Sequence, residues 1–177
     1  IEDDGAPYGG KDFVFWNPPM LDMVAGGRRG TGSEAGLLLT ELLRRHVRTL
    51  AFVASRRAAE LMYVSVRDQL RTTDPGLAKR LSPYRASYLP EDRRRIERDL
   101  SERRLLGLIT TNAMELGVDI GDLDATILTG YPGSVASTWQ QAGRSGRRGD
   151  RSLSVMVAFD DPLDQYLMRH PEIFFGK

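Results

Sequence analysis

Gln140-Gln141-Ala142-Gly143-Arg144-Ser145-Gly146-Arg147-Arg148 is the stretch of this sequence best equipped for chemistry. Arg144 and Arg147 stand three residues apart, each preceded by a glycine. A guanidinium is permanently charged and forks onto two phosphate oxygens. Glycine lets backbone and side chain come close to a ligand. Two such forks suit a polyphosphate that gains charge during transfer. The same residues also describe a solvated basic turn, since blocks of like charge are often simply hydrated.

Two further sets of polar residues close short apolar runs. Leu105 to Thr110 leads into Thr111-Asn112-Ala113-Met114-Glu115-Leu116-Gly117-Val118-Asp119. A hydroxyl at a strand end, beside the free N–H groups of a helix start, can hold a phosphate. Thr111 or Asn112 can equally cap a short helix. Gly117 allows a turn, and Asp119 can accept a sugar hydroxyl or serve as an ordinary turn aspartate. Arg48 to Ala54 leads into Ser55 and Arg56, which are either a helix cap with a surface charge or a second phosphate contact.

Composition narrows the options. The chain has 177 residues, enough for about one domain. Its 25 basic and 24 acidic residues nearly cancel, so any nucleic-acid site must be local. Only Lys11, Lys79 and Lys177 are lysine, a preference that compositional bias explains at least as well as phosphate recognition. Without cysteine there are no disulfides, thiolate metal sites or cysteine nucleophiles. His46 and His170, the only histidines, give a Ser-His-Asp centre little to draw on. No metal site is expected from these residues. No apolar run approaches 18 residues and no signal peptide is visible. The chain opens on Ile1 and stops after Gly176-Lys177, as a piece of something longer would. Gly5, Gly10 and Lys11 match G-x-x-x-x-G-K, but Asp12 stands where Ser or Thr is required and a strand follows rather than precedes. This match is rejected.

The elements that must position these residues alternate. Residues 1–11 are a polar lead-in expected to be flexible, and 12–177 form the domain. Strands are expected at 12–16, 48–54, 84–88, 105–110, 125–129 and 152–159. Helices are expected from Ser33-Glu34 to Arg45, from Ser55 to about Leu70, from Pro90 to Arg103, at 134–141 and at 162–168. Residues 20–32 and 72–82 are read as loops. Glu91/Arg95 and Asp99/Arg103 are expected to pair on the third helix. Apolar runs without strict alternation imply strands covered on both faces, hence a parallel sheet. In such sheets ligands sit at the carboxyl ends of strands, which points to the loops after Ala54, Thr110 and Thr129.

Taken together, the pieces resemble the second (C-terminal) RecA-like domain of superfamily 2 DEAD/DEAH-box-type helicases. Arg48 to Arg56 looks like motif IV, Tyr84 to Glu97 like the His-Gly-Gly-Leu-Ser-Pro-Glu-x-Arg segment, and Thr110 to Ile120 like motif V. Gln140 to Arg147 fits the Q-x-x-G-R-x-G-R of motif VI at every defined position. The resemblance runs from about Phe13 to Met168. Phe15-Trp16-Asn17-Pro18-Pro19, Glu115 to Asp124 and Gly130 to Gln141 look most like the MrfA-type (YprA-like) DNA helicases.

The resemblance implies a three-layer αβα sandwich on a parallel RecA-like (P-loop NTPase-like) sheet. It implies Arg147 as an arginine finger on the γ-phosphate of ATP, Arg144 as its partner, and Gln140 near the γ-phosphate and the attacking water. Gly117 and Asp119 match positions at the nucleotide ribose. Thr111, Asn112, Ser55 and Arg56 match positions near the DNA backbone. ATP and Mg2+ would be held mainly by an N-terminal RecA-like domain that this chain lacks. Single-stranded or duplex DNA and that domain are the implied partners, with no membrane. The implied setting is cytoplasmic and nucleoid-associated, the polarity 3′→5′, the task DNA repair, and the isolated chain inactive. Tyr84-Arg85 departs from the family pattern where many relatives have histidine, and Leu89 where many have serine. An RNA helicase of the same superfamily and a non-catalytic nucleic-acid-binding or docking domain stay open as alternatives. An unrelated small-molecule enzyme would need a nucleophile or cofactor loop of its own, and none is found.

Overall fold

Runs that are apolar on both faces become strands buried on both faces. In the computed structural model, which describes residues 10–21, 27–85, 87–111, 123–146 and 151–176, all four residues of β2 (Thr49–Phe52) and of β4 (Gly107–Thr110) are buried. They join β1 (Lys11–Trp16), β3 (Leu81–Pro83), β5 (Ala125–Thr129) and β6 (Ser152–Val157) in one sheet of order β1-β6-β5-β2-β4-β3. Every pairing is parallel.

Helices cover both faces. α1 (Thr31–Arg44), α2 (Arg56–Thr73) and α3 (Pro75–Ala78) press Leu39, Leu43, Met62, Val66 and Leu77 onto Ala51, Ile109, Ile127 and Val155. On the other face α4 (Pro90–Ser101) sets Ile96 and Leu100 against Leu50, Phe52 and Leu108. α5 (Val135–Ala142), α6 (Pro162–Arg169) and a closing 3₁₀ turn (Pro171–Phe175) bring Val135, Leu167 and Phe174 over Leu128 and Met156. The result is the expected three-layer αβα sandwich.

Several local expectations are corrected. Residues 72–82 are not a loop: α2 runs to Thr73, and Asp74 caps α3 by accepting the Leu77 N–H at 2.9 Å, with Pro75 at the first helical position. The neighbouring strand is Leu81–Pro83 rather than 84–88. β1 begins one residue early, at Lys11, and α1 two residues early, at Thr31. α4 ends at Ser101, and Arg103 lies beyond it in left-handed backbone, φ 58°. Arg103 therefore does not pair with Asp99; Arg104 does, at 2.7 Å. Arg95 pairs with Asp92 at 3.3 Å rather than with Glu91. Met20 and Arg28 form an antiparallel bridge, and buried Glu34 accepts from Trp16 Nε1 and Arg29, both at 3.0 Å.

Candidate nucleotide and nucleic-acid site

The arginine stretch follows α5. Ser134 starts that helix at the carboxyl end of β5 by accepting the Ser137 N–H at 3.0 Å. The helix then crosses the sheet and ends at its amino edge. There the Gly146 N–H donates to the carbonyl of Leu123 at 3.1 Å, and Ser145 bridges Leu123 just ahead of β5. Gly143 is needed for this turn, because a Cβ there would stand 2.9 Å from the Trp139 carbonyl oxygen. Gly146 has φ 83°, the left-handed region glycine adopts without strain. Between them Arg144 is half-buried, its N–H donating to Gln141 O at 3.2 Å. Below the turn lie buried Ser145, Ser154 and Thr126; the Thr126 and Ser154 hydroxyls are 2.9 Å apart. The turn is gripped by Lys11, whose ammonium donates to the Ala142 carbonyl, to the Ser145 carbonyl at 2.9 Å and to the Ser145 hydroxyl at 3.0 Å. The sequence expectation of a carboxyl-edge site is thus corrected for the arginines: a crossover helix has to return to the amino edge, and the motif sits on its far end.

The carboxyl edge carries the other set. Ser55 caps α2 by accepting the Ala58 N–H at 3.1 Å, and its hydroxyl proton stays available to a phosphate oxygen. Arg56 follows, exposed, and enters no ion pair among the described residues. Thr111 is half-buried directly after β4. Before it, Thr110 is fully buried and its hydroxyl has no hydrogen-bond partner among the described residues. Between β2 and the loop after β5 opens a cavity of about 330 Å³, lined by Ala54, Thr129, Gly130, Tyr131, Gln141 and Phe159 among others. Asp164 shapes it from below. This buried carboxylate accepts the N–H of Phe159 at 2.7 Å and that of Tyr131 at 3.2 Å. Burial pushes its carboxyl above the usual aspartate range.

The structure thus separates the expected site residues. Arg144 is at the amino edge; Ser55, Arg56 and Thr111 are at the carboxyl edge. Gln140 is exposed on α5 while its neighbour Gln141 is buried. Asn112, Gly117, Asp119 and Arg147 lie outside the described residues. Among the described residues no group of three or more His, Asp or Glu side chains is placed to hold a metal ion. Nor is any helix among them long and apolar enough to cross a membrane. Tyr84, which departs from the expected family pattern, is buried and donates to Glu97 at 3.3 Å, and Arg85 pairs with Glu60. Sequence reasoning missed Lys11, dismissed with the false phosphate loop, and Asp164, which lies inside the helix expected at 162–168. The rarity of lysine in this chain was the available signal for the first.

Residues 35–149 match the family model of the helicase conserved C-terminal domain. The chain belongs to this family. Along its whole length it is 48% identical to the ATP-dependent helicase YprA of Bacillus subtilis (strain 168), of which it covers 23%. With the ATP-dependent helicase HRQ1 of Saccharomyces cerevisiae it shares 43% identity over 97% of the chain and 16% of that protein. The crystal structure of the DUF1998 helicase MrfA bound to DNA and AMPPNP superposes on it with a TM-score of 0.90 at 47% identity, over all of this chain and 24% of that one. The likeness is thus to the MrfA/YprA type, as expected. This helicase C-terminal domain spans no more than about a quarter of any of these three proteins.

Proposed function

We propose that this domain, expected at residues 12–177 and opening with β1 at Lys11, is the C-terminal motor half of an ATP-dependent DNA helicase or translocase. In this reading Arg144 and Arg147 place positive charge on the γ-phosphate, and Gln140 orients the attacking water. Gly117 and Asp119 contact the nucleotide ribose. ATP and Mg2+ would be held mainly by a preceding RecA-like domain of the same protein, ATP supplying the phosphoryl group and Mg2+ offsetting the charge on its oxygens. Thr111, Asn112, Ser55 and Arg56 touch the backbone of a single DNA strand, positioning it without reading sequence. The protein moves 3′→5′, serves DNA repair and works in the cytoplasm at the nucleoid. The isolated chain is inactive.

The observation that carries the reading is the fixed turn at Gly143–Gly146. A solvated basic turn needs no two structural glycines, no β-bridge to Leu123 and no half-buried lysine holding it from another strand. A turn that must present guanidiniums at one angle needs all three, because a positioned charge is worth far more than a mobile one.

The test is ATP hydrolysis by the full-length protein, with and without single-stranded DNA, for wild type, Arg144→Ala and Arg147→Ala. Loss of a finger lowers kcat by about 10³-fold with ATP still bound. Wild-type turnover in both variants would return the stretch to a solvated turn and leave a binding domain as the better reading. Stimulation by RNA but not DNA would move the substrate to RNA.

A further inference from the structure

Lys11 opens β1 and belongs to neither set of residues named so far. Alternate residues of a strand share a face, so its side chain leaves the sheet on the side of Phe13 and Phe15, beneath α5. Its ammonium has three protons, and three acceptors converge on it: the carbonyls of Ala142 and Ser145 and the Ser145 hydroxyl. Ala142 is the last residue of α5, where a helix leaves carbonyls unsatisfied and where a cation suits the negative end of the dipole. The Ser145 hydroxyl in turn donates to Ala142 O at 3.1 Å, and Ser154 reaches the same oxygen at 3.4 Å. Arg144 lies inside this ring of bonds and Arg147 two residues beyond it. A flat guanidinium cannot aim three donors at three convergent oxygens, whereas a compact ammonium can. Lysine at position 11 is therefore a geometric choice in a chain whose other 24 basic residues include only two lysines.

We propose that Lys11 is a positioning residue for ATP hydrolysis: its ammonium locks the Ala142–Ser145 turn so that Arg144, held within that turn, meets the phosphoryl group in one orientation. The proposal rests on the reading of the two arginines given above.

Half-burial pulls the Lys11 ammonium from its ordinary 10.5 down to about 8, so the lock loses a donor within reach of neutral pH. Among the described residues the charged groups around it are few. Asp12 lies on the opposite face of β1 and pairs with Arg151 at 3.0 Å, Arg144 is on the turn itself, and α5 and β6 carry no titratable residue.

The experiment is steady-state ATP hydrolysis by the full-length protein, saturated with single-stranded DNA, for Lys11→Met, Lys11→Arg, Arg144→Ala, Arg147→Ala and the double variant Lys11→Met/Arg144→Ala. Misplacing Arg144 should lower kcat in Lys11→Met by roughly 10²-fold. KM for ATP and Kd for the DNA should stay near wild type, because the DNA-facing residues sit at the other edge. Lys11→Arg should recover part of kcat and move its alkaline limb, near pH 8 in wild type, to higher pH. In the Arg144→Ala background, Lys11→Met should cost much less than it does alone, since residues acting through one device are not additive. An unchanged kcat in Lys11→Met, with Arg144→Ala and Arg147→Ala inactive, overturns the role of Lys11 and leaves the arginines standing. Wild-type kcat in both arginine variants overturns the arginine reading and this one together. A full additive loss in the double variant reduces Lys11 to general support of the fold. Should Lys11→Met fail to fold, the Lys11→Arg profile decides, and an unmoved alkaline limb overturns the proposal.

Discussion

Gly130 ends β5 with φ 76°, and a Cβ there would lie 2.0 Å from the ring of Phe159. Gly130→Ala therefore adds a left-handed backbone penalty of about 1–2 kcal/mol to an overpacking cost of about 1–3 kcal/mol. The expected loss of stability is roughly 2–5 kcal/mol, read as a fall in the urea midpoint. Gly133 is the control, with φ 97° but nothing within 4 Å of a Cβ, so Gly133→Ala should lose only the backbone part. Equal losses at the two positions would remove Phe159 from the account. The contrast also shows which residues the sequence could expose. Arg144, Thr111 and Ser55 could be singled out as candidates because their chemistry is in the side chain and their spacing is local. Lys11 is not legible in that way, because its acceptors lie 131 to 134 residues away and two of the three are backbone carbonyls, which every residue type carries.

Two aspartates join elements and respond to pH with opposite sign. Asp124 ties the amino ends of β2 and β5, accepting from the Arg48 backbone N–H at 2.9 Å and from its guanidinium at 3.0 and 3.2 Å. Burial pushes its carboxyl up, but the Arg48 hydrogen bonds together hold it below the ordinary 3.8. The folded state thus binds this proton less readily than the unfolded one. The stability it contributes is present above pH 3.8 and is lost as pH falls through the lower folded value. In Asp124→Asn the acid-side fall in the urea midpoint should be shallower; an unchanged slope would mean the pair with Arg48 is electrostatically idle. Asp164, joining the loops after β5 and β6 to α6, is raised by burial, so the folded state holds its proton longer. Its effect on stability is a loss as pH climbs from 3.8 through the raised value, and Asp164→Asn should flatten that window. Asp164→Ala, which strands the N–H groups of the half-buried Tyr131 and Phe159, should cost about 1–3 kcal/mol at neutral pH. Elements of this kind were readable where period and caps agreed, as in α2 and β5. They were misread at 72–88, where Asp74-Pro75 compresses a cap and a helix start into residues that also spell a loop.

At the scale of the molecule the decisive feature is that α5 ends by placing Arg144 at the edge of the sheet opposite Ser55, Arg56 and Thr111. β5 is five residues long, which at roughly 3.3 Å per residue puts about 17 Å of close-packed strand between the two sets. The four central strands, β6, β5, β2 and β4, have neighbours on both sides and core on both faces, so the sheet behaves as a rigid plate rather than a hinge. On the proposed reading, in which one edge faces the nucleotide and the other a DNA strand, a rigid plate would convert closure at one edge into displacement at the other while keeping the binding energies of the two edges separate. Arg56→Ala in the full-length protein should therefore raise the Kd for single-stranded DNA and reduce the slope of log K against log salt by about 0.7, the share of one phosphate contact. At saturating DNA its kcat should stay near wild type. Arg144→Ala should do the reverse, with kcat collapsing while the salt slope is unchanged. If Arg56→Ala lowered kcat at saturating DNA as far as Arg144→Ala does, the two edges would form one site, and the plate between them would have to bend.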